Sequence, residues 1–141
     1  MEIRSPNTSK EWEDYYKLRY DVLRKPLNQA IGSERNEGDS DGQHFALYDD
    51  GVKAIARLDQ ADVGISQVRF VAVDNSLHGK GYGKSIMNAV EKRSIELGNS
   101  KMILHARDYA LPFYEKLDYK LIEKSYKLFD VLQHYLMEKV Y

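Results

Sequence analysis

The apolar positions of this chain fall into short runs and helical stripes, separated by clusters of Gly, Pro, Asn and Asp. Residues 2–5 read as a short first strand. Over residues 9–24, Trp12, Tyr15, Tyr16, Val22 and Leu23 fall on one face of a helix. Thr8 and Glu11 suit a capping box at its start, because hydroxyl and carboxylate can each satisfy a free backbone amide, and Pro26 marks the exit. Residues 28–42 are polar and glycine-punctuated, which predicts a loop or short helix beside a site. Two apolar runs, residues 44–48 and 52–58, flank Asp49-Asp50-Gly51, a strong hairpin signal. Residues 63–73 give another strand, apolar at Val68, Phe70, Val71, Ala72 and Val73, as suits a central strand covered on both faces.

A second helical stripe covers residues 81–97, with Tyr82, Ile86, Ala89, Val90 and Leu97 on one side and a stop at Gly98-Asn99. Residues 101–106 predict a short buried strand. Residues 109–117 predict a helix in which Pro112 is tolerated only in the first turn. Two final strands follow at residues 119–128 and 131–138. The order is strand, helix, three strands, helix, strand, helix, two strands. Strands grouped ahead of alternating units predict an α/β (α+β) fold, a mixed sheet with helices on its faces, rather than the regular alternation of a dinucleotide-binding fold. The chain has no repeat or interdomain linker, and its 141 residues suit one domain spanning 1–141.

Composition narrows the chemistry. Lys plus Arg total 21 against 22 for Asp plus Glu, so no global field draws nucleic acid or an anionic membrane, and any polyanionic ligand needs a local site. The absence of cysteine excludes a disulfide scaffold, a thiolate nucleophile and a thiolate metal site. No signal-peptide core and no bilayer-spanning apolar run stand out, so a soluble, cytoplasmic protein is the expectation.

The most informative segment is His78-Gly79-Lys80-Gly81-Tyr82-Gly83-Lys84, between the central strand and the second helix. Glycines let backbone amides turn toward a ligand, and the helix start adds unpaired amides and partial positive charge. That suits a phosphate or pyrophosphate, with Lys80 and Lys84 adding charge and Lys92 and Arg93 farther along the helix. The G-x-G-x-G spacing is not the G-x-G-x-x-G of a dinucleotide site. Gly79 and Gly83-Lys84-Ser85 enclose three residues rather than the four of a P-loop, and the strand at 102–105 lacks a magnesium-holding carboxylate, which counts against ATP hydrolysis. A plain strand-to-helix turn would use the same glycines.

Two segments together resemble the GNAT superfamily of N-acetyltransferases, and residues 18–27, 104–119 and 129–139 look most like its small ElaA-like branch. Gly81 and Gly83 match the family's pyrophosphate loop after the entry strand Val71-Ala72-Val73-Asp74, with His78 in place of the usual Arg or Gln. Ala110-Leu111-Pro112-Phe113-Tyr114-Glu115-Lys116-Leu117-Asp118-Tyr119 resembles the family's Ala-x-x-x-Tyr-Glu-Lys-Leu-Gly-Phe stretch, and Arg107 stands where many members place a CoA-contacting asparagine. The resemblance spans nearly the whole chain. It implies a mixed, mostly antiparallel sheet of about seven strands with helices on both faces. It also implies acetyl-CoA as co-substrate, no metal, an unidentified primary amine as acceptor, and the homodimers common in the superfamily.

The implied chemistry makes three demands. The amine must attack as the neutral base, although an alkylammonium has a pKa of about 10. The tetrahedral oxyanion needs fixed donors, which by resemblance are backbone amides around Val71, Ala72 and Val73. The departing thiolate, of thiol pKa about 8.5, needs a weak acid, and the resemblance assigns that to Tyr114. For the base, His134, which resembles a His of ElaA-like chains, is favoured over His44 and Asp74, and a water chain is the equal alternative. His44, His105 and His134 are too irregularly spaced to predict a metal site. Glu34, Glu37, Asp39 and Asp41 would favour a cationic acceptor if the loop of residues 28–42 received it. A non-catalytic acyl-CoA-binding module that keeps the loop is the alternative function.

Overall fold

The computed structural model describes residues 1–77 and 79–141. Its elements run β1 (Glu2–Arg4), α1 (Ser9–Leu23), β2 (Gln43–Tyr48), β3 (Val52–Asp62), β4 (Ile65–Val73), α2 (Tyr82–Glu96), β5 (Lys101–Arg107), α3 (Leu111–Glu115), β6 (Lys120–Leu128) and β7 (Leu132–Val140). The seven strands form one sheet in the order β1-β2-β3-β4-β5-β7-β6. Every pairing is antiparallel except β4 with β5.

Local chemistry sets the element ends. The Thr8 hydroxyl accepts from the Glu11 amide at 3.1 Å, and the Glu11 carboxylate accepts from the Thr8 amide at 3.3 Å, closing the expected capping box. Arg4 locks that carboxylate onto β1 with two bonds of 3.0 and 2.6 Å. Asp50 and Gly51 both take positive φ (58° and 97°), which turns β2 tightly into β3. Pro112 sits in the first turn of α3, where its missing N–H is harmless.

The structure departs from the sequence expectation in the β3–β4 turn, the buried face of α2 and the third helix. Residue Val63 lies in the turn between β3 and β4, because β3 runs on to Asp62, and its side chain is exposed. The buried face of α2 is Gly83, Ile86, Met87, Val90, Glu91 and Ser94, rotated from the expected stripe, so Leu97 is exposed. Glu91 belongs there because Tyr119 and Lys139 both donate to its carboxylate at 2.9 Å. The third helix is split into a 3-10 turn at Asp108–Ala110 and the short α3.

Helices cover both faces of the sheet. Ile86, Met87 and Val90 of α2 pack on Leu47, Ala54, Ala56, Leu58 and Val68. Tyr15, Leu18 and Leu23 of α1 pack on the opposite face, against Ala46, Ile55 and Ala72. Strand alternation explains how Ala54 and Ile55 serve different cores. Val68 and Ala72 break that rule, since four residues apart they should share a face. The pairing of Arg57 with Arg69 and of Ile55 with Ala72 sets three steps of β4 against two of β3, a bulge that flips the side-chain parity. Phe70 carries it at φ 55°, a left-handed conformation rare for an aromatic residue.

Candidate active site

β4 and β5 pair only through Ile65, Ser66 and Gln67 with Lys101, Met102 and Ile103. Beyond those residues the two parallel strands have no ladder between them. A cleft of about 840 Å3 opens in the gap. One β4 edge therefore presents backbone groups with no strand partner, and the bulge at Phe70 re-aims them. Val71, Ala72 and Val73 of this edge line the cleft, as do Gly79, Gly81, Tyr82, Gly83, Lys84, Arg107, Tyr114 and His134. Lys80 is exposed and does not line the cleft. His78 lies outside the described residues.

The glycine loop is built for close approach. Gly79 and Gly81 take φ of 85° and 83°, and a Cβ at either would meet nothing within 4 Å, so the space above the backbone is open. Gly81 is the N-cap of α2, whose first intrahelical bond runs from the Ser85 amide to the Gly81 carbonyl at 3.0 Å. The earlier amides of this 15-residue helix have no hydrogen-bond partner among the described residues. Gly83 serves packing instead, since a Cβ there would come within 3.1 Å of Phe113 and 3.4 Å of Val73. Tyr82 closes one side by donating to Asp49 at 2.6 Å. Arg93 donates to Gln43, away from the loop.

Tyr114 is buried and packs edge-on against Phe113 and Tyr119. Burial pushes its phenol well above the ordinary value, partly opposed by the Arg107 charge. It therefore stays protonated throughout the working range and can donate a hydrogen bond. His134 is 4% exposed and stacks on Tyr126 at 4.6 Å, with the rings 15° from parallel. Its Nδ1 lies 3.1 Å from the Leu132 carbonyl oxygen. A carbonyl can only accept, so this bond puts the proton on Nδ1 and the lone pair on Nε2. Burial lowers the His134 pKa, against the Leu132 carbonyl and with the Arg107 charge, so the neutral ring prevails at pH 7.

The other base candidates are engaged in the scaffold. His44 Nε2 donates to the Asp39 carbonyl at 2.8 Å, so its Nδ1 accepts from the Tyr15 hydroxyl at 2.7 Å, and the ring lies outside the cleft. Asp74 caps the turn after β4, accepting from the Ser76 amide and hydroxyl at 3.0 and 2.8 Å. The acidic loop stands apart from the cleft. Asp39 accepts from Arg19 at 2.9 Å and Arg57 at 2.7 Å, and both guanidiniums are fully buried. Glu34 is buried against Arg35 and the Gly32 amide. Glu37 and Asp41 are exposed, and no residue of 28–42 lines the cleft. The charge of Asp39 serves the buried Arg19 and Arg57 beneath α1, which need a counter-ion.

Arg107 is placed by alternation along β5. Met102, Leu104 and Ala106 enter the α2-side core, so His105 and Arg107 face α1. Arg107 donates to the Leu23 carbonyl at 2.7 Å and the Tyr109 hydroxyl at 3.2 Å, and so ties the end of α1 to β5. Sequence reasoning missed Arg24, Arg69, Phe70, His105 and Tyr126, all of which line the cleft. The period-two pattern of β5 could have revealed His105; nothing in the sequence marks the bulge that exposes Phe70. Among the described residues no group of three or more His, Asp or Glu gathers as metal ligands, and no helix is long and apolar enough to cross a membrane.

A mixed sheet split between two parallel strands, with a glycine loop on one face, defines a class, and comparison bears it out. Residues 13–141 match the acetyltransferase (GNAT) domain family, so the chain belongs to that family and is an N-acetyltransferase. It is 28% identical over 127 residues to the uncharacterized N-acetyltransferase YjcF of Bacillus subtilis, covering 90% of this chain and 91% of the relative. The crystal structure of Escherichia coli ElaA superposes with a TM-score of 0.81 at 16% identity, covering 98% of this chain and 97% of ElaA. The PaiA N-acetyltransferase of Thermoplasma acidophilum, solved in complex with coenzyme A, superposes with a TM-score of 0.77 at 14% identity over 100% of both chains.

Proposed function

We propose that the chain acts as a single N-acetyltransferase domain over residues 1–141 and moves an acetyl group directly from acetyl-CoA to a primary amine. The observation that carries this reading is the split between β4 and β5. It joins the glycine loop on the α2 face to the His134 ring on the α1 face through one continuous cleft. Acetyl-CoA would supply an activated thioester whose carbonyl is attacked by the amine. The residues fit such a ligand. The open cradle over Gly79 and Gly81 and the first-turn amides of α2 suit a pyrophosphate, with Lys84 beside them. The unpaired β4 edge offers donors and acceptors to an extended, amide-bearing arm.

Backbone amides at the bulge around Val71 are fixed before the reaction, so they stabilise developing negative charge without reorganising. Tyr114 donates to the departing sulfur. Its raised pKa makes complete proton transfer to a thiolate of pKa about 8.5 uphill, so hydrogen bonding is the main contribution. The His134 ring, below its ordinary pKa of about 6.5, is too weak a base to strip an alkylammonium of about 10. It is suited instead to taking the proton that the nitrogen sheds after attack, when that proton is far more acidic. The positive charges of Arg24, Arg69 and Arg107 at the cleft favour the neutral amine beforehand.

Calorimetric titration with acetyl-CoA, followed by a thiol-release assay over a panel of primary amines, tests the reading. Saturable binding together with amine-dependent thiol release is expected. Tight binding with no release on any amine would favour the non-catalytic acyl-CoA-binding module.

A further inference from the structure

The charge lining the cleft is one-sided. Arg4, Arg19, Arg35 and Arg57 each pair with a carboxylate. Arg24, Arg69 and Arg107 pair with none among the described residues, and all three line the cleft, where no aspartate or glutamate joins them. They converge at one place. All three act on the Tyr126 phenol, pulling its pKa down against the upward push of burial.

That place is on the α1 face of the sheet. Arg69 is in register with Arg57, whose guanidinium reaches Asp39 beneath α1. Arg24 caps the end of α1, and Arg107 reaches the Leu23 carbonyl. The Phe70 ring lies 5.4 Å from the Arg69 guanidinium and 5.7 Å from that of Arg24, and its electron-rich face lets the cations gather. The glycine loop opens α2, on the other face. The cluster is therefore separated by the sheet from the place suited to a pyrophosphate, and it stands beside His134.

Each arginine differs in what it has left to give. Arg107 has both terminal nitrogens bonded to Leu23 and Tyr109. Arg24 donates through Nε to the Ser33 carbonyl at 3.1 Å and through Nη1 to that of Leu23 at 3.1 Å. Arg69 makes no side-chain hydrogen bond or ion pair among the described residues and keeps its whole planar fork for a ligand. Burial, then repulsion from Arg107, weakens the charged form of Arg24, a strain that an incoming anion relieves.

We propose that the acceptor is a primary amine that also carries an oxyanion, a carboxylate or a phosphate monoester, and that Arg69, with Arg24, binds this oxyanion on the α1 face of the cleft. The proposal rests on the N-acetyltransferase reading and names its substrate class. It replaces the cationic acceptor that the acidic loop suggested. The fork of Arg69 orients the acceptor so that its amine points through the split, and Arg24 and Arg107 supply the surrounding positive field.

Matched amine pairs test it: β-alanine against β-alaninamide for the carboxylate, and 2-aminoethyl phosphate against ethanolamine for the phosphate. At least one anionic member should show kcat/KM about tenfold or more above its uncharged partner, and the pair that does so identifies the oxyanion. Arg69→Met should shrink that preference about tenfold while leaving the KM for acetyl-CoA within about twofold, and Arg69→Lys should restore part of it. Calorimetry of the same probes into CoA-saturated protein reads binding without turnover. Anionic probes that bind but are not acetylated would support the oxyanion site and count against the enzymatic reading. Turnover with no anionic preference would overturn the oxyanion site alone. Loss of acetyl-CoA affinity in Arg69→Met would overturn it too, by placing Arg69 on the cofactor.

Discussion

Tyr114 and His134 stand on opposite sides of the split sheet, and their environments push them toward different tasks. The phenol is sealed among aromatic rings and held protonated, whereas the imidazole is held neutral with its lone pair on Nε2. Tyr114→Phe should lower kcat by about tenfold to a hundredfold and leave the thermal midpoint nearly unchanged, because the ring packing survives. Steady-state assays at saturating acetyl-CoA, with a melting curve, check both; undiminished kcat would remove Tyr114 from the chemistry. His134→Gln keeps a polar group of similar reach but cannot take a proton. It should lower kcat and abolish the titration that wild type shows below about pH 6.5, a difference visible in paired pH–rate profiles.

At the scale of elements, the junction of β4 and α2 carries two glycines with separate roles. Gly81 is required by the backbone, since its φ is 83° while a Cβ there would touch nothing. Gly81→Ala should therefore introduce strain of about 1 kcal/mol, lower the thermal midpoint by a few degrees, and weaken acetyl-CoA binding severalfold. Titration calorimetry and a melting curve measure the two effects, and unaltered affinity would separate the loop from the ligand. Gly83 is required by space, because Phe113 and Val73 close over it. Phe113 in turn abuts Tyr114, so α2 and α3 position the phenol together. The edge strand β6, almost wholly exposed, bears Lys120, Lys124 and Lys127, charges that discourage further strand pairing.

The molecule as a whole buries ionisable groups in forms that fix its pH range. His44, His105 and His134 are all shifted down, chiefly by burial. Below about pH 6.5 the unfolded chain takes up these protons more readily than the native one, so stability falls with pH there until the native rings protonate too. Asp39 acts in the same direction at lower pH. Burial alone would raise its pKa, but the bonds from Arg19 and Arg57 outweigh it and leave the carboxyl below its ordinary value. Its contribution is present above about pH 4 and lost as pH falls through the native value. On the alkaline side, burial raises Tyr15 to about 12 and Tyr114 and Tyr119 further, so the unfolded chain ionises first above about pH 10. Urea midpoints measured from pH 4 to 11 should form a plateau between about 7 and 10 and fall on both sides. A midpoint that rose on acidification would contradict the buried neutral histidines.

The sequence by itself determined the element order, the capped first helix, the Asp-Gly hairpin and the glycine loop. Each depends on neighbours within a few residues: a hydroxyl and a carboxylate three apart, or glycines spaced for a turn. The pairing of the Ala110 to Tyr119 segment with that loop was enough to indicate the family that residues 13–141 match. Only the tertiary structure decided which groups share the cleft. The bulge at Phe70 depends on the pairing of β3 with β4, and the gap between β4 and β5 depends on where their ladder stops. Register with Arg57 sets Arg69 on the α1 face, the bulge brings Phe70 to the same side, and packing beneath α1 commits Asp39 to Arg19 and Arg57. Local patterns record what the backbone does next. The sign of the charge on the α1 face of the cleft is set by Arg24 at the end of α1, Arg69 of β4 and Arg107 of β5, which meet only when the sheet forms.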